Sequence, residues 1–66
     1  MSCKLKEIRT ELRYTQTLLA AESGVSRETI NAIENGRAGS VSTKTLENIS
    51  KVLGKSVAEI FFAEDV

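Results

Sequence analysis

The sequence predicts an all-α domain, and three observations carry that prediction. Proline is absent from the 66 residues. Aromatic residues are few (Tyr14, Phe61 and Phe62). Apolar residues recur at helical spacing in successive runs, most of which open behind a Ser or Thr and stop before a glycine.

Taken in order, the spacing predicts five helices. The first runs from about Lys4 to Arg13, with Leu5, Ile8 and Leu12 inward and Lys4, Lys6, Arg9 and Arg13 outward. Glu7 and Glu11, four residues apart among those bases, make part of this face a solvated helix surface. Thr15 is the N-cap of a second helix, Gln16 to Ser23, with Leu18 on its outward side. Gly24 supplies a turn, and small residues at Ala20 and Gly24 would let the second and third helices approach closely. Ser26 caps the third helix, Arg27 to Asn35, which ends at Gly36 in a position where a left-handed backbone is common. Residues 37–41, containing Ala38, Gly39 and Ser40, are expected to form a mobile loop. Ser42 caps the fourth helix, which ends at Leu53 with Leu46, Ile49 and Leu53 on its inner face. Ser56 and Glu59 form a capping box for the fifth, where Val57, Ile60 and Phe61 recur at i, i+3 and i+4.

Size and composition narrow the function. Residues 1–66 form one domain, and a chain of this length buries only about 60% of the surface its unfolded form exposes. Stability of roughly 3–10 kcal/mol is expected, so a dimer contact can matter to folding. Apolar residues make up 41% of the chain and charged residues 27%, a globular balance. One cysteine, Cys3, and no histidine leave no zinc site, no Cys–His pair and no Ser–His–Asp triad. The expectation is a protein that is not an enzyme and uses no metal or cofactor. Cys3 is either a redox handle or an inert thiol. No apolar stretch approaches the ~20 residues of a membrane span and no signal peptide is visible, so a cytoplasmic protein is expected.

Net charge is zero, but the charges are unevenly placed. Residues 1–55 hold all nine Lys and Arg against six Glu, whereas residues 56–66 hold Glu59, Glu64 and Asp65. This is either an ordinary mixed surface or a mildly basic body set against an acidic tail. The third helix decides the direction of the reading. Val25, Ile30 and Ile33 lie on one side of that run and Ser26, Arg27, Glu28 and Asn31 on the other. A short helix with such a hydrogen-bonding outer face can enter the major groove of DNA and read base edges.

The pieces LKEIRTELRYTQTLLAAESGVSRETINAIENGR, LENISKVLG and SVAEIF resemble the XRE-type, or Cro and phage-repressor-like, helix-turn-helix family. The TQ start, the GVSRETI centre and the IENGR end carry the likeness, which extends from about Leu5 to Phe62. It implies a lambda-repressor-like fold of five helices whose second and third read DNA, and regulators that bind palindromic operators as dimers. By position, the resemblance makes Gln16 a phosphate contact at a helix N-terminus, where free N–H groups favour an anion. Thr15 would add its hydroxyl. Ser26, Arg27, Glu28, Thr29 and Asn31 would form the outer face of the recognition helix, with Thr29 counted among the phosphate contacts. Asn35 and Arg37 match positions that touch the DNA backbone.

Side-chain chemistry then assigns roles. The fork of Arg27 matches O6 and N7 of guanine, and Asn31 can pair with adenine in a similar way. Glu28 can accept from cytosine N4 or orient Arg27, and Ser26 joins this base-reading set. Arg27 with Glu28 can also be read as an exposed charged pair, and Gln16 as an ordinary surface residue. The chain departs from the family in the loop before the fourth helix, which is about one residue longer and lacks proline. Thr43 stands where leucine is frequent there, so Val41 is expected to fill that space.

Val52 and Phe62 fall off the inner stripes of the fourth and fifth helices. An apolar pair outside so small a core suggests a two-fold interface, although Phe62 can instead cover the domain's own base. The resulting expectation is a dimeric repressor of phage, plasmid or mobile-element type on an inverted-repeat operator in double-stranded DNA. No second domain for an inducer is visible, so control by concentration, competition or a regulatory protein partner is expected. The alternatives are a controller or antitoxin-type regulator of a restriction–modification or toxin–antitoxin operon, and a protein-interaction module whose partner masks the DNA face.

Overall fold

In a computed structural model that describes residues 3–39 and 41–62, five helices follow one another and no strand occurs among the described residues. They are α1 (Leu5–Glu11), α2 (Gln16–Ser23), α3 (Arg27–Glu34), α4 (Thr43–Leu53) and α5 (Val57–Phe61). Ser40 and the acidic Glu64 and Asp65 lie outside the described residues.

Local chemistry sets four of the five starts. Thr15 Oγ1 accepts from the Leu18 N–H at 3.0 Å, and Ser26 Oγ from that of Thr29 at 3.1 Å. Ser42 Oγ does the same for Thr45 at 3.2 Å. At Ser56 the capping box is complete, with Glu59 Oε1 accepting from the Ser56 N–H. Each cap satisfies an N–H that the helix cannot pair internally, a contribution of about 1 kcal/mol. The start of α1 has no side-chain cap; instead the Lys4 N–H donates to the carbonyl of Ile60 at 2.7 Å, joining the two ends of the fold.

The core is built from Leu5 and Ile8 of α1, Leu19 of α2, Val25, Ile30 and Ile33 of the next segment, Ile49 and Leu53 of α4, and Ile60 and Phe61 of α5. α2 packs on both α3 and α4, while α1 is held between α3 and α5. Leu46 and Val57, expected inward, are half-buried and lie against this core, as does Val41. Val41 thus reaches the core while Thr43 is exposed, as the long loop required. Buried Ser23 is satisfied locally: its hydroxyl donates to the Leu19 carbonyl and accepts from the Val25 N–H.

Several expectations change. α1 stops at Glu11 rather than Arg13, and Leu12 is 44% exposed instead of inward. The cause is Arg13, whose φ of 63° is left-handed. Its N–H bonds to the Thr10 carbonyl and that of Tyr14 to the Arg9 carbonyl, the paired bonds of a Schellman stop. Gly24 is required for its φ of 72° and not for close approach, because a Cβ there would meet nothing within 4 Å. Residues 37 and 38 are tied down: both N–H groups donate to the Ala32 carbonyl, and Ala38 packs on the core. Arg9 is also not an outward residue, as described below.

Arg13 holds a backbone conformation that costs a non-glycine residue roughly 1–2 kcal/mol. Arg13→Gly is therefore expected to raise the urea midpoint, adding about 0.5–1 kcal/mol after glycine's own entropy cost. A fall in stability would mean that the Arg13 side chain holds the turn.

Candidate nucleic-acid interface

The interface begins at an ion pair that ties α1 to α3. Arg9 Nε lies 2.6 Å from Glu34 Oε2, and Nη2 reaches Oε1 at 3.1 Å. The two side chains are 12% and 2% exposed, so the bidentate pair is withdrawn from water. The remaining arm of the guanidinium, Nη1, donates to the Tyr14 carbonyl at 2.7 Å. Glu34 Oε1 accepts a further bond, from Gln16 Nε2 at 3.1 Å. The ion pair thus ties together α1, the turn after it, the first residue of α2 and the last turn of α3.

Both charges occupy apolar stripes. Arg9 follows Leu5 by four residues, and Glu34 follows Ile30 by four. A single charge on each stripe, of opposite sign, was the available sequence signal. The neighbouring bases Lys4, Lys6 and Arg13 mask it by surrounding Arg9 with like charge.

Around this anchor the expected contact residues gather. Gln16, Arg27, Glu28, Asn31 and Arg37 line one open depression of about 360 Å³. Arg27 and Glu28 are exposed at the start of α3, and no hydrogen bond or ion pair holds either side chain among the described residues. Asn31 is half-buried and accepts from Arg37 Nη2 through Oδ1 at 2.8 Å. Asn35 turns back, donating from Nδ2 to the Asn31 carbonyl at 2.8 Å.

The hydroxyls are partly committed to the fold. Ser26 Oγ donates to Thr29 Oγ1 at 2.8 Å while accepting from the Thr29 N–H. Its single proton is used, so Ser26 can offer an outside partner only a lone pair. Thr15 Oγ1 accepts from the Leu18 N–H and Thr29 Oγ1 from the Ser26 hydroxyl, so each keeps a hydroxyl proton to donate. Gln16 retains one amide proton and its oxygen after bonding Glu34. Donors from Thr15, Gln16 and the N-terminus of α2 suit an anion.

Tyr14, at the edge of α2, donates its hydroxyl to Glu22 Oε1 at 3.2 Å. Partial burial and then the Glu22 carboxylate raise its phenol above the ordinary value of 10.0. Phe62 is 48% exposed, whereas Val52 is half-buried against the core. The two are therefore unequal members of the expected apolar pair. Phe61, Phe62, Leu46, Val41 and Cys3 share a second, apolar depression of about 320 Å³. Among the described residues no acidic, Cys or His group has the arrangement of a metal site, and no helix is long and apolar enough to cross a membrane.

Arg9→Met leaves Glu34 buried without its charge partner. It should cost about 3–5 kcal/mol, enough to unfold much of a domain this small. Arg9→Met with Glu34→Leu should recover most of that loss in urea denaturation. A single variant as stable as the parent would show that the pair is not an anchor.

Comparison with known proteins agrees with this geometry. The sequence model of the helix-turn-helix family matches residues 5–60. An uncharacterized HTH-type transcriptional regulator of Methanocaldococcus jannaschii is 43% identical over 65 residues, 98% of this chain and 97% of that protein. The N-terminal DNA binding domain of SinR from Bacillus subtilis superposes with a TM-score of 0.83 at 31% identity, covering 94% of this chain and 88% of that one. With five helices in that arrangement and a family match across nearly its whole length, this chain belongs to the XRE-type helix-turn-helix family of transcriptional regulators and has a lambda-repressor-like DNA-binding fold.

Proposed function

We propose that the protein represses transcription by binding an inverted-repeat operator as a homodimer, in the manner of regulators of phages, plasmids and mobile elements. The observation that carries this reading is the open polar depression of Gln16, Arg27, Glu28, Asn31 and Arg37. Arg27 and Glu28 are exposed at the start of α3, half-buried Asn31 follows one turn on, and Gln16 lies at the start of α2. In this reading Arg27, Glu28 and Asn31 meet base edges, and Ser26 contributes only an acceptor. Thr15, Gln16 and Thr29 donate to phosphates, with Asn35 and Arg37 at the rim. Phosphate contacts set register and affinity, whereas the few base contacts choose the sequence.

Exposed Phe62, with the edge of Val52, supports the two-fold contact. Two α3 helices about 34 Å apart would then face adjacent major grooves on one side of the duplex. The working compartment in this reading is the cytoplasm, where the operator is. In this reading residues 1–66 form a single DNA-binding domain, and its action needs no cofactor.

Selection of duplexes from a random library at moderate salt should recover an inverted repeat with half-site centres one helical turn apart. Arg27→Ala should relax one base position per half-site, at about 1–3 kcal/mol. Affinity should fall as salt rises, because phosphate contacts release counterions. A folded protein that enriches no sequence would turn the reading toward a protein-binding module.

Phe62→Ser should lower the sedimenting mass at micromolar concentration and weaken operator binding together. Unchanged mass and unchanged affinity would remove Phe62 from the interface and leave it as a cover for the domain's base.

A further inference from the structure

We infer that Arg37 is a positioning residue for base readout, acting through Asn31 rather than as a simple phosphate anchor. The inference rests on the DNA-binding reading above and names what one side chain does within it. Gly36, with φ 69°, reverses the chain after α3. The Gly36 N–H then bonds to the Ile33 carbonyl and that of Arg37 to the Ala32 carbonyl at 2.8 Å. These paired bonds fix the Arg37 backbone beside the last turn of α3. From there the guanidinium reaches back six residues to Asn31 Oδ1 at 2.8 Å.

That contact settles which way the carboxamide of Asn31 faces. A guanidinium has only donors, so the atom beside it is the oxygen, and Nδ2 is the group turned away. Asparagine pairs with adenine bidentately by accepting from N6 while donating to N7. Here Arg37 takes one of the two lone pairs of Oδ1 and so fixes the plane of the carboxamide. Asn31 therefore presents Nδ2 as its outward donor, toward guanine O6, a purine N7 or thymine O4, and the angle of its remaining lone pair is set by the Arg37 contact. The Asn35 amide, bonded to the Asn31 carbonyl, holds the same turn of helix without touching the Asn31 side chain.

The test is a base-by-base affinity profile on the selected operator for the parent, Arg37→Met, Asn31→Ala and the double variant. Circular dichroism melting confirms that each is folded. Positioning predicts that Arg37→Met changes preference on the order of tenfold at one base pair, the pair that Asn31→Ala makes indifferent. In the Asn31→Ala background the same change should then have little further effect on that profile. A loss equal across all sequences, additive with Asn31→Ala and lowering the salt slope by about one, would make Arg37 a phosphate contact and overturn the inference. A parent protein that enriches no duplex would instead overturn the DNA-binding reading itself, and this role with it.

Discussion

The pairing of Arg9 with Glu34 is the contact on which the arrangement of the interface depends. α2 and α3 each have eight residues, too short to be stable helices alone. Their mutual angle must come from what they pack against. Apolar packing of Leu19, Ile30 and Ile33 supplies most of the energy, but such packing tolerates small rotations. A bidentate guanidinium–carboxylate pair is directional. By also accepting from Gln16, Glu34 joins the last turn of α3 to the first residue of α2. A buried ion pair of this kind adds little net stability over an apolar replacement. Its consequence here is orientation: the side chains at the two helix starts keep a defined separation.

The caps extend the same economy. Thr15 and Ser26 hold the N-termini of α2 and α3, so the helix starts that face the depression are ordered by side chains standing at its edge. A threonine cap spends a lone pair on the helix and keeps its proton. At Thr15 one hydroxyl can therefore end a helix and donate outward. Ser26 does not have this freedom, because its proton is given to Thr29. Two residues with the same local role differ in what they can offer a ligand, and only the hydrogen-bond partners reveal it.

Much of this was legible in the sequence because it is local. The caps at Thr15, Ser26, Ser42 and Ser56 are signals of three or four residues, and each appears where the pattern puts it. Glycines 24, 36 and 54 mark stops because the left-handed backbone suits them. The errors came where a residue answers to something distant or breaks a local rule. Arg13 takes the left-handed conformation that glycine usually fills, so α1 ends early and Leu12 loses its place in the stripe. Arg9 looked like one of four outward bases because its partner is 25 residues away. Asn31 was legible as a polar side chain on the outer face of α3, but the direction of its carboxamide depends on Arg37, beyond the helix end.

The balance of charge follows from the same anchor. A chain of zero net charge has no general attraction for a polyanion, so any attraction must be arranged locally. Glu34 accepts from Gln16, and an uncompensated carboxylate there would oppose an anion at the start of α2. Arg9 cancels that charge at contact distance while its remaining arm is spent on the Tyr14 carbonyl. The pair is therefore neutral toward the depression. The field at the rim is left to exposed Arg27 and Arg37 against the single carboxylate of Glu28. Burying one base to neutralise one acid lets two exposed bases set the sign of a surface that the composition leaves undecided.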